Sequence, residues 1–157
     1  MSERRAYFSL GTNLGDRAEH LRRGVECAAA EDAFRASLVY ETEPVGGVAQ
    51  DDFWNLVLEV TTSASPRELL ERARAAEELA HRTREVRWGP RTLDVDVLLV
   101  GTETSDDPEI LVPHPRMYER AFVLVPLREL APELVSEEML VGAIGMVRPL
   151  GTLASLG

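Results

Sequence analysis

Two helical patterns alternate with four short strand-like runs over the first hundred residues, and that order leaves the chain few folds to choose from. Ala6 to Leu10 is an apolar run ending at Gly11, the pattern of a first strand. The turn-rich segment Gly11-Thr12-Asn13-Leu14-Gly15-Asp16 follows. A helix is predicted from Arg17 to Ala30, because Ala18, Leu21, Val25 and Ala28 recur on one face, with Asp16 as its N-cap. Phe34 to Thr42 reads as a second strand, Glu43 to Asp51 (with Pro44, Gly46 and Gly47) as a loop, and Phe53 to Thr61 as a third strand. Ser65-Pro66-Arg67-Glu68 marks a second helix start. Its serine can cap, its proline occupies the first turn where a missing N–H costs little, and its glutamate can close a capping box. That helix should run to about His81, and a fourth strand from Thr92 to Val100.

The order β-α-β-β-α-β is the split arrangement of ferredoxin-like folds. It predicts an α+β sandwich: a mainly antiparallel sheet with both main helices on one face. Additional C-terminal elements are expected: an acidic turn over Gly101 to Glu109, a short strand Ile110 to Val112, a helix Phe122 to Leu130 stopped by Pro132, and an amphipathic piece near Glu138 to Val147. No repeat or linker divides the 157 residues, so one domain is expected. Cys27 is the sole cysteine, which suits a reducing compartment and a structural role. Met1 to Ala6 has no apolar signal core and no stretch approaches a membrane span, so the expectation is a cytoplasmic protein with no membrane partner. Without a heptad seam or a long apolar edge, a monomer is expected.

A net charge of −10 argues against a nucleic-acid partner. The acidity is uneven. All 17 basic residues are arginines, and seven of them lie between Arg67 and Arg91. Four stand within Arg82-Thr83-Arg84-Glu85-Val86-Arg87-Trp88-Gly89-Pro90-Arg91. Arginine forks match phosphate oxygens, and Trp88-Gly89-Pro90 could form a flap that excludes water. Directly downstream, Leu93-Asp94-Val95-Asp96-Val97 places two carboxylates on one face of a strand and apolar residues on the other. Two adjacent carboxylates either form a solvated strand face or hold a hard cation such as Mg²⁺ between them. Cations for phosphate beside carboxylates for a metal suit phosphoryl transfer. His114, within Pro113-His114-Pro115-Arg116, and the pair Phe53 and Asn55 are weaker signals that core packing would also explain.

Together these segments resemble the 6-hydroxymethyl-7,8-dihydropterin pyrophosphokinase family. The likeness is carried by R-W-G-P-R-T-L-D-V-D at Arg87 to Asp96, L-G-T-N-L-G-D at Leu10 to Asp16, Y-E-T-E-P-V-G at Tyr40 to Gly46, F-W-N at Phe53 to Asn55, V-P-H-P-R-M at Val112 to Met117, and R-A-F-V-L-V-P-L-R-E-L-A-P at Arg120 to Pro132. The resemblance implies a ferredoxin-like enzyme that transfers pyrophosphate from ATP to the pterin hydroxymethyl group, releasing AMP, in folate synthesis. It implies that Asp94 and Asp96 hold two Mg²⁺ ions and that Arg82 and Arg91 contact the phosphates. Arg84 and Trp88 would close over the site, and His114 and Arg120 would take the phosphate and ribose end. Leu70, Arg74 and Val97 would lie near the adenosine. Thr42, Val45, Asn55, Phe53 and Phe122 would form the pterin pocket, with the ring between the two phenylalanines and Trp88 covering it. Glu77 matches a position where the family tends to carry a glutamate, with no role implied.

The chain departs from the family pattern at Glu43, Phe53, His81 and Pro115, and its loop to Trp88 is short. Two other readings remain open at this point. One is a two-metal nucleotidyltransferase, which would release pyrophosphate rather than AMP and would want a third carboxylate nearby, Glu59 being the candidate. The other is a non-catalytic ferredoxin-like binding module, since fold does not fix function.

Overall fold

The computed structural model describes residues 2–43, 52–82, 93–143 and 145–156, with His81 and Arg82 placed by backbone alone. In chain order the elements are β1 (Arg4–Thr12), α1 (Arg17–Ala29), β2 (Ala33–Ala36), β3 (Val39–Thr42), β4 (Phe53–Thr62), α2 (Pro66–Arg82), β5 (Asp94–Val100), β6 (Ser105–Asp107), β7 (Ile110–Val112), α3 (Ala121–Leu130), α4 (Glu137–Gly142) and β8 (Val147–Gly151). Strand β1 lies between β4 and β5, and the main sheet runs β5-β1-β4-β3-β8 with β2 also on β4. Every pairing in it is antiparallel. This is the α+β, ferredoxin-like arrangement expected from the element order.

Strand periodicity divides the residues between two cores. Ala6, Phe8, Leu10, Leu56, Leu58, Val60, Val95 and Val97 point to the face covered by α1 and α2. Helix α1 lays Leu21, Val25 and Ala28 there, and α2 adds Leu69, Ala73, Ala76 and Ala80. Close approach is needed where α1 crosses the sheet: a Cβ on Gly24 would sit 2.7 Å from Leu10 Cδ2. Both helix starts form as their sequences suggest. The Glu19 N–H donates to Asp16 Oδ1 at 3.1 Å, and the Glu68 N–H donates to Ser65 Oγ at 3.2 Å. The opposite face is only partly covered. There α3 packs Val123, Leu124 and Leu127 over Tyr7, Val57 and Leu98.

Three expectations need correction. Phe34 to Thr42 is not one strand: β2 and β3 are separated at Ser37 and Leu38. Ser37 explains the break, because its N–H donates to the Val57 carbonyl while its Oγ, in place of a main-chain oxygen, accepts the Val57 N–H, both at 2.9 Å. The expected acidic turn before Ile110 folds back as β6, making a hairpin with β7. The amphipathic piece at Glu138 to Val147 is not one element either. Helix α4 stops at Gly142, and Val147 opens β8, which adds an edge to β3. Pro149 fits there because an edge strand can spare a donor.

Candidate active site

One row of cross-strand partners runs across the sheet. Asp94 of β5 faces Gly11 of β1, Gly11 faces Asn55 of β4, and Asn55 faces Tyr40 of β3. The next row pairs Asp96 with Ser9 and Ser9 with Val57. All these side chains lie on the α3 face, because their strand neighbours Val95, Leu10 and Leu56 are in the other core. The carboxylate pair therefore stands on a partly open surface above a close-packed helical layer, and Asp96 keeps 44% of its side chain exposed.

A kink in the ladder brings His114 to this pair. Tyr7 pairs with Leu99 and Phe8 with Val97, so Leu98 bulges without a partner on β1. Its carbonyl accepts the His114 N–H at 2.9 Å. The imidazole Nε2 then lies 4.0 Å from Asp96 Oδ1, while Nδ1 accepts the Arg116 N–H at 3.2 Å. That bond leaves the proton of a neutral ring on Nε2. Burial lowers the His114 pKa, and Arg120 and Arg116 push it the same way against the opposing pull of Asp96. At neutral pH the ring is thus a neutral donor through Nε2 beside the carboxylate, suited to a phosphate oxygen.

Beside it lies a groove of about 210 Å³ formed by Leu70 of α2, Val97 and Asp96 of β5, Ile110 and Leu111 of β7, and His114, with Glu109 also on its wall. Arg74, expected near an adenosine, is not part of that lining. It is engaged with Glu109 at 3.4 Å, and Arg67 holds Asp107 at 2.7 Å and Glu109 at 3.2 Å. The β6–β7 hairpin is thereby pinned to α2. In the sequence Glu109 reads as part of an exposed acidic turn, and no local signal marks it, since the hairpin alone brings it to the groove.

Across the sheet, Asn55 is 4% exposed, and its Nδ2 donates to Thr42 Oγ1 at 2.9 Å. Tyr40, beside it, donates through its hydroxyl to Glu129 of α3 at 2.7 Å. Phe53 opens β4 on the same face, half-buried, and Phe122 is half-buried near the start of α3, with the Arg120 guanidinium 5.5 Å above its ring. Val45, Arg84, Trp88 and Arg91 lie outside the described residues, and Arg82 is placed only as the last residue of α2.

The donor set fits a hard divalent cation. Asp94 and Asp96 offer carboxylate oxygens on one face, and among the described residues no cluster of three or more His, Cys, Asp or Glu side chains comes together. Two carboxylates, with water and phosphate oxygens completing the shell, match how Mg²⁺ is commonly bound. A two-metal nucleotidyltransferase loses its third carboxylate here. Glu59 sits opposite Tyr7, two positions along and two strands over from Asp96, roughly 12 Å by strand spacings. Both its oxygens are taken, by Arg35 at 3.0 and 3.1 Å and by the Tyr7 hydroxyl at 2.8 Å.

Comparison with known proteins gives this arrangement a family. A family model described as 7,8-dihydro-6-hydroxymethylpterin-pyrophosphokinase (HPPK) matches residues 7–132. A Bacillus subtilis protein named 2-amino-4-hydroxy-6-hydroxymethyldihydropteridine pyrophosphokinase is 47% identical over 135 residues, covering 84% of this chain and 81% of that one. Proteins of the same name from Methylorubrum extorquens and Pseudomonas aeruginosa are 45% and 41% identical, each over 83% of this chain and over 85% and 82% of their own lengths. The chain belongs to the 7,8-dihydro-6-hydroxymethylpterin-pyrophosphokinase family.

Proposed function

We propose that Asp94 and Asp96 hold Mg²⁺, two ions in the working complex, for the reaction that family membership assigns: transfer of pyrophosphate from ATP to the hydroxymethyl group of 6-hydroxymethyl-7,8-dihydropterin in folate biosynthesis. The reading rests on one observation. Asp94 of the carboxylate pair and Asn55, which is bonded to Thr42, lie in register across β5, β1 and β4, two strand spacings apart. That is roughly 10 Å, room for a bicyclic heterocycle whose polar edge meets Asn55 and Thr42 while its hydroxymethyl arm reaches the carboxylates.

In this reading Phe53 and Phe122 clasp the ring, and Val45 and Trp88 close the pocket. Leu70 and Val97 give the adenosine an apolar bed, and Arg74 acts on it through Glu109. His114 donates from Nε2 to a phosphate oxygen, and Arg82, Arg84, Arg91 and Arg120 supply the other phosphate contacts. Bound Mg²⁺ neutralises phosphate charge as it shifts during transfer. The protein's part is to align the pterin hydroxyl with the β-phosphorus so that AMP leaves. A monomeric, cytoplasmic enzyme that takes no nucleic acid is part of the same proposal, supported by the acidic surface and the small-molecule chemistry of the family.

The test is a product assay with ATP, Mg²⁺ and the dihydropterin, resolving AMP, ADP and free pyrophosphate. AMP should form one-for-one with a pterin diphosphate. Asp96→Ala should cut turnover by about 10²–10³-fold, the scale of losing a group that stabilises transition-state charge, with the fold intact. Free pyrophosphate in place of the pterin diphosphate would overturn the reading, and so would near-normal activity in Asp96→Ala.

A further inference from the structure

Strand β5 is an edge strand, paired with β1 on one side alone among the described residues. Antiparallel pairing turns the main-chain groups of alternate residues toward the partner and of the rest away from it. The N–H of Val95 is one that turns away, and it donates to Glu77 Oε2 of α2 at 2.9 Å. Asp94 and Asp96, the residues on either side, are the ones whose main chains face Gly11 and Ser9 of β1. The segment Asp94-Val95-Asp96 is therefore gripped from both edges, by β1 at the two aspartates and by Glu77 between them. Val95 itself is buried at 4% exposure, so its amide has little access to water in place of Glu77.

From this geometry we infer that Glu77 is a positioning residue of the site: its bond to the Val95 amide sets the pleat of β5, and so the direction and spacing of the two carboxylates beside it. The inference rests on the reading of Asp94 and Asp96 as the Mg²⁺-holding pair. A pleated strand fixes how far apart its i and i+2 side chains stand, but an edge strand held on one side can twist or slip. A cation shared between two carboxylates demands one spacing, and Mg²⁺ tolerates departures from its preferred octahedron poorly. Holding the intervening amide therefore prepares the pair before the metal arrives. Groups that orient metal ligands typically change metal affinity by about 10–100-fold when removed.

Glu77→Ala and Glu77→Gln separate this role from a purely electrostatic one. Both substitutes are good helix formers, so α2 should persist. Gln retains an oxygen that accepts the Val95 N–H but removes the charge. In the metal-free protein, amide exchange followed by NMR should show Val95 about tenfold or more less protected in Glu77→Ala, the scale of one lost hydrogen bond to a buried donor, and near wild type in Glu77→Gln. The Mg²⁺ concentration giving half-maximal activity at saturating ATP should rise about tenfold or more in Glu77→Ala and recover in Glu77→Gln. Wild-type exchange and Mg²⁺ response in Glu77→Ala would overturn the positioning role. A raised Mg²⁺ requirement in Glu77→Gln with Val95 still protected would replace it with a charge effect. Asp96→Asn is the control for the underlying reading: if its Mg²⁺ response matches wild type, the metal assignment itself fails, whatever Val95 does.

Discussion

A methyl group at position 11 would stand 2.6 Å from Asn55 Oδ1, closer than a side-chain carbon ever comes to such an atom. Gly11 lies between Asp94 and Asn55, and its missing side chain leaves the space that Asn55 Oδ1 occupies. Gly11→Ala should therefore push Asn55 off Thr42 while leaving Asp94 and Asp96 in place. We expect about tenfold weaker pterin binding, the scale of one lost hydrogen bond, and a loss of about 1–3 kcal/mol in stability from overpacking. ATP binding should barely change. Calorimetric titration with each substrate checks the split, and equal weakening of both would contradict it. The Asp pair was legible in the sequence because a strand's period of two puts residues 94 and 96 on one face whatever surrounds them. The need for glycine at 11 was not, since it arises from a neighbour far along the chain.

At the scale of elements, the groove beside Asp96 depends on a hairpin of two three-residue strands that could not stand alone. Arg67 and Arg74 on α2 hold it through Asp107 and Glu109. These ion pairs are exposed, so solvent screening leaves each of them worth little to overall stability. Arg67→Ala should consequently leave overall stability close to wild type. The groove wall should nevertheless loosen, raising KM for ATP about fivefold with kcat little changed. Raised salt should shrink the difference between the two proteins, because screening weakens the clamp in the wild type as well. A fall in kcat with unchanged KM would mean that Arg67 reaches the chemistry directly. The sequence marks these arginines as a cluster; it does not tell which face phosphate and which face the protein's own acids.

Over the whole molecule, the α3 face is tied at the end away from the carboxylates by a buried charge. Glu59, 5% exposed, accepts from Arg35 and Tyr7, and Arg35 also donates to the Leu130 carbonyl at the end of α3. Burial alone would raise the Glu59 pKa, but the bonds from Arg35 and Tyr7 outweigh it, and the net shift is downward. A carboxyl whose pKa is depressed on folding contributes stability that is present above its unfolded value, near 4.3, and is lost as pH falls through the lower folded value. Tyr7 moves the other way: burial first, then the bond to Glu59, raises its pKa, so its contribution is full below its unfolded value near 10 and declines above it. Glu59→Gln should lower stability by about 1–3 kcal/mol at pH 7. Melting curves from pH 7 down to 3 should show the two proteins converging at the acid end. A constant gap would mean that the carboxylate's charge is not what the network uses.

The sequence by itself determined what depends on neighbours along the chain. Helical spacing, the caps at Asp16 and Ser65, and the alternation at Leu93 to Val97 are local, so α1, α2, β5 and the shared face of the two aspartates could be read before any contact was known. The family motifs then carried the likeness to a pyrophosphokinase. Tertiary structure alone decided what depends on residues meeting across elements. The Ser37 oxygen splits a strand because Val57 lies opposite it, and the Leu98 bulge turns a carbonyl out to catch His114. Glu77 is one acidic residue among several on a polar helix until β5 docks beside it with an unmatched amide. The physical reason is the same in each case. Buried main-chain donors and acceptors must find partners, and which side chain is within reach is settled only when strands and helices have closed on one another.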